Sequence, residues 1–220
     1  MPRRATDHPA QHITQDHAAS LPGCGVSFQD QPTRDHPDPY RSHPFPFEGM
    51  NDEPQGASET SLSSEPLFDY SFADFDNPLA DLEGLHEINP HRGDMVQLDG
   101  VAFCEEDRAI GWKDVRDDEF WVPGHIPGRP LMPGVLMIEA AAQLSSFVIQ
   151  TYRTPAERAK DFLGFVRSDK TIFRNQVIPG QRLIILARLE SKNSRRFISL
   201  CQGFVDGNLV FETKVTGMHL

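Results

Sequence analysis

The stretch of sequence that decides the fold runs from Gly124 to Gln143 and reads GHIPGRPLMPGVLMIEAAAQ. Its first half contains several prolines and glycines, which exclude regular helix or strand and predict a rigid loop. From Val135 to Tyr152 the chain is apolar on nearly every side, which predicts a helix surrounded by protein. The stretch therefore indicates a loop that leads directly into the core helix.

Two residues of this stretch point to chemistry. Glu139 lies about one and a half turns into the apolar helix, where a carboxylate is costly unless it has a role there. Gly134 lies at the helix start, so its N–H has no partner within the helix and points to where the helix dipole favours negative charge. We therefore expect Glu139 to act as a general acid and the N–H of Gly134 to bind an oxyanion.

Runs of β-forming residues occur on both sides of this helix. They are Met95–Phe103 and Ala109–Val115 before it, and Leu163–Phe173, Gln181–Glu190, Arg196–Val205 and Leu209–Thr216 after it. Asp206-Gly207 is a hairpin signal, so the last three strands are expected to be antiparallel neighbours. A short helix is also predicted over Pro78–Ile88. The pattern predicts an α+β fold in which an antiparallel curved sheet wraps around a long central helix.

The N-terminal part of the chain has a different composition. Residues 1–75 are rich in Pro, Ser, Asp and His and keep no helical or strand period, which predicts a disordered acidic tail before a domain over residues 76–220. We interpret its aromatic end as an unstructured linker, with a short interaction motif or packing onto the domain as the alternatives. That end contains Leu67, Phe68, Tyr70, Phe72 and Phe75.

The charge distribution excludes several classes of partner. Residues 1–83 contain 4 Lys and Arg against 15 Asp and Glu, whereas residues 84–220 contain 17 of each. Neither part offers a cationic face to a phosphate backbone, so no nucleic acid is expected. The first residues lack an apolar stretch, and the apolar run at 134–149 is too short to span a bilayer. No membrane association is expected, and the expected location is the cytoplasm.

The three cysteines and the histidines do not indicate a metal site. Cys24, Cys104 and Cys201 are odd in number and lack the paired spacing of zinc ligands or of a disulfide framework. We therefore expect reduced thiols and no metal.

The GHIPGRPLMPGVLMIEAAAQ segment resembles the signature of the 3-hydroxyacyl-acyl-carrier-protein dehydratases of bacterial type II fatty acid synthesis. The likeness comprises the histidine in G-H-x-P-G, the M-P-G-V-L helix start and the acidic residue fourteen positions after the histidine, followed by A-x-A-Q. P-H-R at residues 90–92, IFRNQVIPGQRL and VDGNLVFETKVTGM also resemble elements of the family. The resemblance covers about residues 78–220 and implies a hotdog fold.

The resemblance also implies roles for individual residues. His125 would take the proton alpha to the thioester carbonyl, and Glu139 would protonate the departing 3-hydroxyl. The backbone at Gly134 and Val135 would bind the carbonyl oxygen. Gln143 lies near Glu139, where it would orient the acid or bond a strand backbone. The product would be a trans-2-enoyl thioester linked to acyl carrier protein, formed without a metal or an organic cofactor.

In this family the histidine and the acid meet across a dimer interface. The resemblance therefore implies a homodimer or a trimer of dimers. His91 and Arg92, by contrast, are interpreted as structural residues that hold the first loop.

Two other functions remain open. One is an acyl thioesterase, because the same fold hosts thioester hydrolysis and a fold does not fix a function. The other is a catalytically silent hotdog subunit that binds acyl chains or serves as a scaffold. The G-H-x-P-G histidine argues against the first, and the intact pair of His125 and Glu139 argues against the second.

Overall fold

The computed structural model of the chain describes residues 65–160 and 162–219. Six strands and three helices make up this part, together with one 3₁₀ turn at Gly93–Met95. The strands are β1 (Gly100–Cys104), β2 (Arg108–Asp114), β3 (Leu163–Phe173), β4 (Arg182–Lys192), β5 (Arg196–Val205) and β6 (Asn208–His219). The helices are α1 (Leu82–Ile88), α2 (Gly134–Thr151) and α3 (Pro155–Arg158).

The strands form one antiparallel sheet in the order β1-β2-β4-β5-β6-β3, and α2 packs against its inner face. Ala140 and Ala141 are fully buried, and their small side chains let the strands approach the helix closely. Although α2 is long and apolar enough to cross a membrane by composition, 61% of it is buried inside the protein. The predicted α+β fold, a curved antiparallel sheet around a central helix, is confirmed.

Several predicted boundaries differ from the observed ones. The first helix begins at Leu82 instead of Pro78, because the side chain of Asp81 caps it by accepting from the Gly84 N–H at 3.0 Å. The strand predicted from Met95 begins only at Gly100. In the segment before it, the Gln97 N–H donates to a side chain of α2 instead of to a neighbouring strand. Helix α3 was not predicted.

The outer face of the sheet has an apolar cluster of its own. Side chains alternate between the two faces of a strand, so residues that flank the α2 contacts point away from the helix. The buried members of this outer cluster are Ile110, Leu186, Phe204 and Leu209. Residues 65–76, here called the strap, cover the cluster with Leu67, Phe68, Tyr70, Ala73 and Phe75.

The strap is held by polar and aromatic contacts. The Leu67 N–H donates to Gln202 Oε1 at 2.8 Å, and Arg188 Nη1 donates to the Leu67 carbonyl at 2.9 Å. The Tyr70 ring lies 5.3 Å from that of Phe204. For residues 65–75 the structure therefore differs from the predicted linker and matches the alternative of packing onto the domain. Residues 1–64 lie outside the described residues, and the disordered tail stays a prediction there.

Candidate functional site

The carboxyl group of Glu139 projects from α2 into a polar contact network centred on Gln143. Gln143 Nε2 donates to Glu139 Oε1 at 2.8 Å and to the Met95 carbonyl at 2.7 Å. Gln143 Oε1 accepts from the Gln97 N–H at 2.9 Å. Gln143 therefore bonds the Glu139 carboxyl and also the backbone of the segment before β1, which is not itself a strand. Because both N–H groups and the oxygen of this amide are engaged, its orientation is fixed.

His91 also approaches the Glu139 carboxyl, at the same oxygen that Gln143 bonds. Its Nε2 is 3.4 Å from Glu139 Oε1, and the two side chains are 29% and 22% exposed. Burial lowers the pKa of His91, and the nearby Arg92 lowers it further, while the charge of Glu139 opposes both. The sequence interpretation of His91 as purely structural did not include this contact, which joins residues far apart in the chain.

Beside this polar wall lies a cleft of about 180 Å³. Glu139, His91 and Gln143 form its polar side. Its remaining lining is mostly apolar and includes Phe162, Leu163, Phe165, Phe197 and Val215. The cleft therefore places a carboxyl group next to a surface suited to an alkyl chain.

His125 lies in the loop before α2 and is held at both its backbone and its ring. Its N–H donates to the Trp121 carbonyl at 2.7 Å, and its ring stands edge-on to that of Trp121. Nδ1 lies 2.8 Å from the carbonyl oxygen of Leu131. A carbonyl can only accept, so Nδ1 carries a proton and the neutral ring has its lone pair on Nε2. This is the state that a general base requires.

The loop with His125 is anchored by a buried cation. Lys113 of β2 is only 2% exposed, and its Nζ lies 2.6 Å from Glu119 Oε1 and 3.8 Å from Asp99 Oδ2. A buried ion pair of this kind fixes geometry, because removing one partner leaves an uncompensated charge. Nothing in the sequence indicated it, since a lysine in a strand is ordinarily on the exposed face.

The start of α2 presents free donors beside an exposed apolar edge. Within the part of the chain that the structure describes, the N–H groups of Gly134 and Val135 have no acceptor. A Cβ added at Gly134 would lie 2.7 Å from Phe173 Cζ, so the absent side chain makes room for that ring. Val135 itself is 69% exposed.

The structure does not bring all five candidate residues together within one protomer. Glu139 and Gln143 are in direct contact. His125, Gly134 and Val135 do not line the Glu139 cleft, and no contact among the described residues joins His125 to Glu139. Within a single chain, Glu139 and His125 therefore lie in two separate places.

Comparison with known proteins gives the family. A model described as the FabA-like domain matches residues 89–214, which is more than half of the chain. The chain belongs to this family. The family match includes the histidine loop, α2 and five of the six strands in full.

Relatives in this family have names that state a reaction. The 3-hydroxyacyl-[acyl-carrier-protein] dehydratase FabZ of Desulforamulus reducens is 35% identical over 138 residues, which are 62% of this chain and 95% of the relative. The enzyme of the same name from Acinetobacter baylyi is 29% identical over 140 residues, covering 64% and 95%. The dehydratase family predicted from the G-H-x-P-G segment is confirmed.

A solved structure supports the fold alone. The dehydratase heterocomplex ApeI:P from Xenorhabdus doucetiae superimposes with a TM-score of 0.55 at 16% identity, covering 62% of this chain and 90% of that chain. Together with the family match, this confirms the hotdog fold.

Proposed function

We propose that this chain dehydrates 3-hydroxyacyl thioesters linked to acyl carrier protein, giving trans-2-enoyl thioesters in fatty acid biosynthesis. Relatives that align over 95% of their length are named for this reaction. The observation that carries the proposal is the Glu139 carboxyl, fixed by Gln143 at 2.8 Å on the wall of an apolar cleft. An acid beside an alkyl-binding surface suits loss of a hydroxyl group from a fatty acyl chain.

The proposed elimination uses groups of the protein alone. His125 Nε2 takes the proton from C2 of the acyl chain, because its Nδ1–H is committed to the Leu131 carbonyl. The electron pair of that C–H bond forms the C2–C3 double bond, and the C3–O bond breaks. Glu139 gives its proton to the departing oxygen, so the leaving group is water. No metal or organic cofactor takes part in these steps.

The N–H groups at the start of α2 complete the proposed site. As C2 loses its proton, negative charge develops on the thioester oxygen, and a donor directed there lowers the barrier. We assign this role to the free N–H groups of Gly134 and Val135. The dipole of α2 favours negative charge at the same place.

The proposed partner within the assembly is a second copy of this chain. Strand β3 lies at one end of the sheet, where unpaired backbone groups are available to another strand. The edge is apolar and exposed at Phe165, Val166, Ile172 and Phe173. Because His125 and Glu139 are apart within one protomer, a homodimer that unites them is required by the proposed chemistry. A trimer of dimers and a cytoplasmic location also stay part of this proposal.

Turnover of a defined substrate tests the function. Purified protein is incubated with 3-hydroxyacyl-carrier thioesters of several chain lengths, and the acyl product is followed by mass for loss of one water. We expect wild-type protein to dehydrate at least one of them and His125→Ala and Glu139→Gln to be inactive but folded. Glu106→Gln, an exposed glutamate of the β1–β2 turn, is the matched control and should be fully active.

The same assay distinguishes the alternatives. Release of free carrier thiol without an enoyl product would indicate a thioesterase. Tight binding of acyl carrier protein without turnover of any chain length would contradict the dehydratase proposal and indicate a silent subunit.

A further inference from the structure

Two nitrogen atoms converge on a single oxygen of the Glu139 carboxyl. Gln143 Nε2 donates to Oε1 at 2.8 Å, and His91 Nε2 lies 3.4 Å from that same oxygen. No hydrogen bond from the described residues reaches Oε2. The two oxygens of the acid are therefore not equivalent.

This asymmetry decides which oxygen carries the proton. A protonated carboxyl has one O–H donor and one carbonyl oxygen, and an N–H donor can bond only to a lone pair. With the Gln143 N–H bonded to Oε1 and the His91 ring nitrogen beside it, a proton on Oε1 would face them at close range. The proton of the acid therefore belongs on Oε2.

The state of His91 follows from its other nitrogen. Nδ1 is buried and has no hydrogen-bond partner among residues 65–160 and 162–219. A proton on Nδ1 would be a buried donor without an acceptor, and a protonated ring would add a charge. The least costly state is the neutral ring with its hydrogen on Nε2, which is the atom beside Glu139. The lowered pKa of His91, caused by burial, agrees with this state.

Within one protomer, few other charges act on this pair. Arg92 adjoins His91 in the same loop and holds its guanidinium against backbone carbonyls. The walls of the cleft formed by β3, β5 and β6 are apolar beside Glu139. His86, Glu87 and Arg158 are titratable side chains that line the adjoining cavity of about 330 Å³.

We propose that His91 is a positioning residue for Glu139. As a neutral Nε2–H donor it acts with Gln143 to hold Oε1, so that Oε2 faces the cleft and gives its proton to the 3-hydroxyl of the substrate. The inference rests on the proposed dehydration for its catalytic part. The pairing of His91 with Glu139 is testable without any substrate.

Three substitutions at His91 separate positioning from packing. His91→Leu removes the donor, so we expect kcat to fall by about tenfold or more with little change in KM, because the acid is no longer held. In a plot of kcat against pH, the fall in kcat on the alkaline side marks loss of the proton that Glu139 donates. This alkaline limb should move to higher pH, since the carboxylate has lost an N–H group that stabilises it. His91→Lys introduces a cation and should move that limb to lower pH. His91→Gln keeps a neutral N–H and should restore most of kcat.

His86→Leu is the matched control. This second histidine also has a buried Nε2 that finds no partner in the described part of the chain, but it lines the adjoining cavity and does not touch Glu139. Its pH profile should equal that of the wild type. If His91 only packs its loop, Leu and Lys substitutions at 91 will change thermal stability or KM, and all alkaline limbs will coincide. That result would overturn the proposal.

Nuclear magnetic resonance keeps the test independent of turnover. In full-length protein labelled with ¹³C at glutamate carboxyls, Glu139→Gln assigns the Glu139 signal. We expect its titration to move in opposite directions in His91→Leu and His91→Lys. In wild-type protein, ¹⁵N shifts of His91 should show the neutral Nε2–H form near neutral pH. A charged ring or an Nδ1–H tautomer would refute the pairing even if the enzyme is active. An inactive wild type with the expected shifts would refute only the dehydration.

Discussion

The separation of His125 and Glu139 within one protomer makes a quantitative prediction about mixed dimers. His125 bonds to its own loop, and the Glu139 cleft is lined by residues that do not include it. In a twofold dimer each site would then take its histidine from one chain and its acid from the other. A dimer of one His125→Ala chain and one Glu139→Gln chain has one intact site out of two. We expect about half of the wild-type turnover per dimer.

A second mixed dimer gives the opposite result. When a wild-type chain pairs with a chain that has both substitutions, each site lacks either the histidine or the acid. This dimer should be inactive. Chains with two different affinity tags are co-expressed and purified through both, and enoyl product is then measured at a protein concentration above dissociation. If the wild-type/double-variant dimer retains half of the activity and the single-variant pair has none, the site lies within one chain and the reasoning is refuted.

Three further predictions concern stability and assembly. Tyr70→Ala should lower the free energy of unfolding by about 1 to 2 kcal/mol in urea titration, because it removes a ring packed on the outer cluster, whereas the more exposed Phe72 should matter less. Gly134→Ala should displace the exposed Phe173 ring and weaken dimerisation in sedimentation experiments while leaving the protomer folded; unchanged association would contradict this. Burial lowers the pKa of His91 in the folded state from its usual 6.5. As the pH falls through 6.5, the unfolded chain therefore binds a proton at His91 before the folded chain does, and the folded state loses stability. Wild-type stability should then decline more steeply than that of His91→Gln between about pH 7.5 and about pH 5.5, and equal slopes would contradict the assignment.

The sequence predicted those elements whose signals are local. Strands Leu163–Phe173 and Arg196–Val205 have the predicted bounds, and helix Gly134–Thr151 differs by one residue at each end. The hairpin at Asp206-Gly207 is also observed, with both residues at positive φ, as a tight turn between twisted strands requires. In each case the apolar period and the turn residues lie within the element itself.

The differences arise where a distant residue decides the local structure. The segment before β1 reads as a strand, but Gln97 donates its N–H to Gln143, which is 46 positions away. The strap reads as a linker because its aromatic residues stand among aspartates, and only the folded sheet shows the apolar face that they cover. His91 is 48 positions from Glu139, so no spacing rule could have joined them.

The position of Glu139 depends on the loop before β1 as much as on its own helix. Within the helix itself the carboxyl group is held by Gln143 at 2.8 Å, and a carboxyl group without partners would be costly on this apolar helix. The contacts that hold it come from His91 directly and, through Gln143, from Met95 and Gln97. The side-chain Nδ2 of Asn89 donates to the backbone carbonyl of Gln143 at 3.0 Å, which also attaches this loop to α2. The family match begins at this same residue, leaving out the strap and α1. The residues whose contacts hold the Glu139 carboxyl therefore lie within the part of the chain that the family model matches.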